Sequence, residues 1–299
     1  MKSSTFTAKI SPERIAKLQA DLEEQGFAFS TPVHTVFSAK KKGVVCTLYE
    51  SGSLVVQGKE MDEFIEFYLE PEILNEFKHS HPSVGLDLTP HIGLDEAGKG
   101  DFFGPLCIGG VYADSEGIRK LQEMGVKDSK RFSDESILKL ARKIRAAYPY
   151  TVIRLFPQKY NELYARFKNL NRLLAWAHAS ALGDLSQKTG CQKAILDQFA
   201  DRKVAEQALQ QKRITVDLEQ RVRGEEDLVV AAASILARAG FLEGMESLSQ
   251  EIGFVLPKGA GSTVLTAGVK LVAKLGPDVL DKVAKTHFKT KSEILARVT

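Results

Sequence analysis

The chain has 299 residues, 43% of them hydrophobic, and a formal charge of +3 from 41 basic and 38 acidic side chains. That length allows one large domain or two, and so small a net charge means that any nucleic-acid site must come from local clustering of cations. Cys46, Cys107 and Cys191 lie far apart with no C-x-x-C spacing, which argues against a disulfide framework or structural zinc and points to a reducing cytoplasm. No signal-peptide run opens the sequence and no stretch of about 18 apolar residues interrupts it, so neither export nor membrane spanning is expected.

Residues 11–25 open with Ser-Pro and place Ile15, Leu18 and Leu22 on one face at helical spacing. Three β-rich runs follow, TVFSAKK, GVVCTLYES and SLVVQGK, separated by Lys-Gly and Ser-Gly turns, and then a helix over MDEFIEFYLEPEIL. The predicted order is α-β-β-β-α, a small sheet with helices on one face. Lys40, Lys41 and Lys42, beside Phe37 and Tyr49 taken as exposed aromatics, could hold nucleic-acid backbone, although a lysine run is commonly a solvated turn. The proline-containing stretch KHSHPSVGLDLTP lacks helical period and reads as a linker. The division is therefore residues 1–80, a linker at 81–90, and residues 91–299.

Beyond the linker, strand-like HIGLDE, LCIGGVYA, YTVIRLF, KAILDQF and KRITVDL alternate with helix-like SDESILKLARKIRAA, QKYNELYARFKNLNRLLAWAHASALGDL and LVVAAASILARAGFLEGMESLSQ. An α/β domain with a mixed sheet is expected. Within it, GLDEAGKG fits the phosphate-loop pattern G-x-x-x-x-G-K-[ST] at Gly93, Gly98 and Lys99, but Gly100 stands where a magnesium-binding hydroxyl belongs. Asp95 and Glu96 would repel a triphosphate unless metal ions lay between, so a nucleotide hydrolase is disfavoured and a metal site is favoured. Further acids stand at Asp197, ending an apolar strand, and at Glu225, Glu226 and Asp227, ahead of an apolar helix. Spacing alone leaves this set open, because acids at strand ends commonly serve turns and acids before a helix offset its dipole.

The block GLDEAGKGDFFGP resembles the signature of the type 2 ribonucleases H, and its Gly98-Lys99-Gly100 resembles the ribonuclease HIII branch, where the HII branch usually carries GRG. VKDSKRFSDE, NLN, ILDQF, VVAAASILAR and THFKT match in the same order. The resemblance implies a ribonuclease H-like α/β domain with a mixed sheet and flanking helices, plus a small N-terminal α+β TBP-like substrate-binding domain. It implies an endonuclease that cuts the RNA strand of RNA/DNA hybrids by two-metal hydrolysis, leaving 5′-phosphate and 3′-hydroxyl ends, with Mg²⁺ or Mn²⁺ on Asp95, Glu96, Asp197 and a fourth acid. Glu225 is the choice for the fourth; matching that position needs a one-residue gap, which leaves Glu226 and Asp227 open.

By the same resemblance, Gly98, Lys99 and Gly100 read the ribose 2′-hydroxyl, since glycine lets backbone approach closely and the lysine sits near phosphate. Ser129 and Lys130 are implied backbone contacts. Asn169 and Asn171, on a long helix whose Leu170, Leu173 and Leu174 pack inward, are candidate groove contacts. Lys258 and Gly259 read as a loop near the hybrid, His287 as a substrate or packing residue, and His178 as a satisfied core histidine without a role. Cleavage at single ribonucleotides embedded in DNA and non-catalytic hybrid binding are the alternatives. The GKG form and the N-terminal segment disfavour the first, and the intact acids the second. A cytoplasmic monomer with no membrane partner is expected.

Overall fold

The structure, a computed structural model, describes residues 5–74, 86–126, 129, 132–222 and 224–298. The chain divides into two compact units, residues 1–87 and 88–299. Of the expected linker, 81–85 lie outside the described residues.

The first unit holds one antiparallel sheet of β1 (Thr5–Lys9), β2 (Ala28–Ser30), β3 (Thr35–Lys41), β4 (Val44–Tyr49) and β5 (Ser53–Gln57), in the order β1-β5-β4-β3-β2. Helix α1 (Pro12–Glu24) and helix α2 (Met61–Phe64), which continues as a π-wound stretch Ile65–Leu74, supply the apolar residues that cover it. Alternate residues of the central strands, among them Ala39, Cys46, Leu48, Leu54 and Val56, bury against Leu18, Leu22, Ile65 and Leu69. The sequence reading lacked β1 and β2. Both are edge strands, paired on one side only, and neither has a fully buried residue to produce an alternating pattern. Phe37 is also corrected: it is 3% exposed and packs on Phe29, because it takes an inward position of β3.

The second unit is built on a sheet of β6 (His91–Ala97), β7 (Leu106–Ala113), β8 (Tyr150–Leu155), β9 (Lys193–Asp197) and β10 (Asp217–Arg221), in the order β10-β9-β6-β7-β8. The β6-β7-β8 pairs are antiparallel, whereas β9 runs parallel to both β6 and β10, so the sheet is mixed. Around it lie α3 (Ser115–Glu123), α4 (Asp134–Ala147), α5 (Pro157–Phe167), α6 (Leu170–Thr189), α7 (Arg202–Gln211), α8 (Leu228–Ile252), α9 (Ser262–Leu275), α10 (Val279–Val283) and α11 (Lys289–Val298). Two expected elements shift. The single helix over 158–185 is broken, because Lys168 ends α5 in the left-handed region and Asn169 caps α6. The strand expected over KRITVDL starts only at Asp217, since Lys212 and Arg213 close α7.

Strand alternation sorts β6 and β7 into two faces. Ile92, Leu94, Leu106 and Ile108 join the cluster with α6, whereas Val111 and Ala113 join the one with α4 and α8. On the α8 side the contact is backbone on backbone: a Cβ on Gly93 would fall 2.3 Å from the carbonyl carbon of Val229, and one on Gly109 would fall 2.2 Å from the Ala233 oxygen. Among the described helices α8 alone is long and apolar enough to cross a membrane, and here it is the core helix, with Ala231 to Leu236 buried almost throughout. Gly93→Ala is therefore expected to force helix and sheet apart and to cost about 1–3 kcal/mol, read as a lowered midpoint in urea denaturation.

Candidate active site

Parallel pairing of β6 with β9 sets Leu94 opposite Leu196, so the next residues, Asp95 and Asp197, are neighbours where that pairing and β9 end. The pleat then turns Asp95 and Glu96 to opposite faces. Asp95 meets the α8 side, where the nearby Ser234 hydroxyl favours its charged form and the Glu96 amide donates to Oδ1 at 2.7 Å. Glu96 meets the α6 side, where Nε2 of His178 lies 3.0 Å from Oε2. Asp197 Oδ1 accepts from the Gly224 amide at 2.7 Å, and Gly224 fits there because a Cβ would fall 2.8 Å from the Asp197 Cα.

These acids floor a cleft of about 470 Å³ walled by the Gly98–Asp101 loop, Ser129, Ser234, Arg238 and Lys258. Among the described residues, no three His, Cys, Asp or Glu side chains close into a ready-made ligand cluster. The divergence of Asp95 and Glu96 accounts for this. Their electrostatics diverge too. Burial, then repulsion by Glu96, pushes the Asp95 carboxyl up to about 7, with Asp197 adding to the rise and the Ser234 and Glu96 hydrogen bonds opposing it. Burial also pushes Glu96 up, but the His178 hydrogen bond and the Lys99 ammonium, 3.5 Å away, outweigh it and hold Glu96 below its usual value. Two neighbouring carboxyls pushed apart in this way are a mark of functional sites.

The other expected site residues divide. Gly98 has φ +85°, and a Cβ there would strike the Pro105 oxygen at 2.3 Å, so the fold itself demands glycine. Gly100 is exposed with no atom within 4 Å of a would-be Cβ, and nothing within the chain demands glycine there. Ser129 lines the cleft with its hydroxyl 2.7 Å from that of Ser234; Lys130 lies outside the described residues. Asn169 and Asn171 are exposed and line no part of the cleft: the Asn169 side chain accepts from the Arg172 amide as the α6 cap. Of the acids before α8, Asp227 is taken up by structure, accepting from the Val229 and Val230 amides and from His91 Nε2 at 3.0 Å. Glu226 is exposed, and the Glu225 side chain lies outside the described residues. His287 stacks on Tyr164 at 4.2 Å between ring centroids, a packing contact.

Sequence reasoning passed over Ser234 and Arg238, although they are the polar letters one turn apart in the apolar AAASILAR. Arg238 bonds the Ser129 carbonyl and Asp134, which also takes Lys258. It missed Lys285 as well, whose fully buried ammonium donates to the carbonyls of Asp101 and Gly104 at 2.7 Å and of Phe103 at 3.3 Å. Burial pulls this lysine down to about 8. Gly259 adds a second strut, its amide donating to Asp101 Oδ1 at 2.5 Å and its carbonyl accepting from Phe102.

A mixed five-stranded sheet with acids at the end of its central strands, one helix face holding Asp95 and the other Glu96, defines a ribonuclease H. A family model described as Ribonuclease HII matches residues 92–291, and one described as a domain of unknown function (DUF3378) matches residues 5–81. The chain is 54% identical over 293 residues to a ribonuclease HIII of Protochlamydia amoebophila, covering 98% of this chain and 97% of the relative. It is 50% identical over 295 residues to a ribonuclease HIII of Chlamydia abortus, covering 98% of each. The crystal structure of Bst-RNase HIII in complex with Mn²⁺ is similar at TM-score 0.70 and 30% identity, over 99% of both chains. The chain belongs to the ribonuclease HIII branch of the type 2 ribonucleases H.

The raised Asp95 has a consequence for stability. An acid whose pKa is higher folded than unfolded stabilises the fold below its unfolded value, near 3.8, and that contribution is lost as pH rises through about 7. With chelator present, Asp95→Asn is therefore expected to melt at least about 2 °C above wild type near pH 8 and to lose this advantage near pH 4, as read by thermal denaturation.

Proposed function

We propose that this cleft hydrolyses the RNA strand of RNA/DNA hybrids, leaving 5′-phosphate and 3′-hydroxyl ends, with Asp95, Glu96, Asp197 and Glu225 holding two divalent cations, Mg²⁺ or Mn²⁺. The observation that carries the reading is the juxtaposition of Asp95 and Asp197, each one residue past the last pair of the parallel strands β6 and β9, in a cleft that the Gly98–Gly100 loop also lines. The donor set fits hard cations: it is all oxygen, and after burial it is repulsion by Glu96 that lifts Asp95, a repulsion a bound cation would relieve. Bound there, such ions supply an activated water and neutralise charge on the leaving oxygen.

The chain's own groups do the orienting. The Ser234 hydroxyl and the Glu96 amide fix Asp95, and the Gly224 amide fixes Asp197, before any substrate arrives. The open space at Gly100 suits backbone approach to a ribose, where the 2′-hydroxyl distinguishes RNA from DNA. Lys99, 40% exposed, offers a point charge to phosphate, and Lys258 also lines the cleft, paired with Asp134. Ser129 and Lys130 belong to the same reading as contacts to the substrate backbone. Residues 1–80 are read as the substrate-binding domain, 91–299 as the catalytic domain, and the protein as a cytoplasmic monomer.

Asp95→Asn and Asp197→Asn are each expected to abolish cleavage of a labelled hybrid while hybrid affinity in chelator stays within about threefold; full activity in either would sink the assignment. Gly100→Ala is expected to leave the melting temperature unchanged and to lower kcat/KM on hybrid about tenfold, equivalent to about 1.4 kcal/mol. An unchanged kcat/KM would remove Gly100 from the reading surface.

A further inference from the structure

His178 is 3% exposed and sits on α6 between Ala177 and Ala179, in a stretch otherwise made of core residues. Its ring stacks on Phe199, two residues past Asp197, with centroids 5.0 Å apart and planes 17° apart. A carboxylate can only accept, so Nε2 donates to Glu96 Oε2 at 3.0 Å. The other ring nitrogen, Nδ1, is buried with no hydrogen-bond partner. A histidine kept only for structure would be expected to use both nitrogens, since an unsatisfied buried polar atom costs free energy.

We propose that His178 is a positioning residue for the metal centre: it aims Glu96 at the cleft by holding Oε2 and leaving Oε1 on the Lys99 side. The inference rests on the reading of Glu96 as a metal ligand. Imidazole suits the task better than lysine or arginine would. Its flat ring donates from Nε2 in a fixed direction and packs face-on against Phe199, which the long flexible chains of lysine and arginine do not. Ring stacking on Phe199 ties the donor to the segment that follows Asp197, so the supports of two acids from different strands are joined. Such outer partners of metal ligands are worth about 10–100-fold in metal affinity.

The test measures Mn²⁺ binding by isothermal titration calorimetry and by Mn²⁺ electron paramagnetic resonance on the full chain without substrate. His178→Phe keeps the ring and the stack but removes the N–H; it is expected to weaken Mn²⁺ binding about tenfold or more, with hybrid affinity in chelator unchanged. His178→Gln reaches Glu96 with an amide N–H and is expected to stay within about threefold of wild type. If the phenylalanine variant does not fold, His178→Met takes its place. In a Glu96→Gln background, removing the histidine donor is expected to have no further effect. Wild-type affinity in His178→Phe, or equal losses in the Phe and Gln variants, would overturn the proposal. Unchanged Mn²⁺ binding in Glu96→Gln alone would instead overturn the metal-ligand reading beneath it.

Discussion

Ser234 can reach Asp95 only because no side chain separates helix α8 from strand β6. Glycine at 93 and at 109 lets the helix backbone lie directly on the sheet, and the small residues of AAAS let it stay there. From that one close approach the rest of the α8 side follows. Asp227 caps the helix start, which sets the short turn containing Gly224, which in turn hands its amide to Asp197. One turn beyond Ser234, Arg238 ties down the segment at Ser129 and the start of α4. Asp95 thus faces a helix packed directly on the sheet, and the turn that holds Asp197 is fixed to that helix's start, an arrangement in which a cleft is organised before its ligand arrives.

Crowding negative groups at a strand end is costly, and this protein meets the cost with mostly uncharged donors. A serine hydroxyl and two backbone amides face Asp95 and Asp197, Nε2 of His178 holds Glu96, and one lysine stands 3.5 Å from Glu96 at the rim. Uncharged donors fix direction while leaving the field of the cleft negative, as an oxygen site for divalent cations requires. The fully charged neighbours, Arg238 and Lys258, are turned onto Asp134 instead.

Much of this was legible in the sequence. The central strands of both sheets, and α4 and α8, are evident because burial on one or both faces imposes a period or a continuous apolar run. The edge strands β1 and β2 escaped because pairing on one side imposes neither. A turn at Lys168 divided what reads as one helix, a conformation that its side chain does not announce. In the site, the acids stand out because charge at the end of an apolar strand is conspicuous. His178 and Lys285 do not: their roles depend on partners 82 and up to 184 residues away, and nothing local distinguishes them from ordinary core or surface residues.

The distance between Lys285 and the loop it braces also orders events in time. Strand β6 and the glycine-lysine-glycine loop are made early, and Asp197 can join them once β9 follows. The ammonium that gathers the carbonyls of Asp101, Phe103 and Gly104 comes 184 residues after the first of them. At about 5–20 residues per second, a ribosome delivers it about 10–40 s later. A growing chain therefore carries strand β6 and its two acids long before it carries the lysine that braces the turn following them.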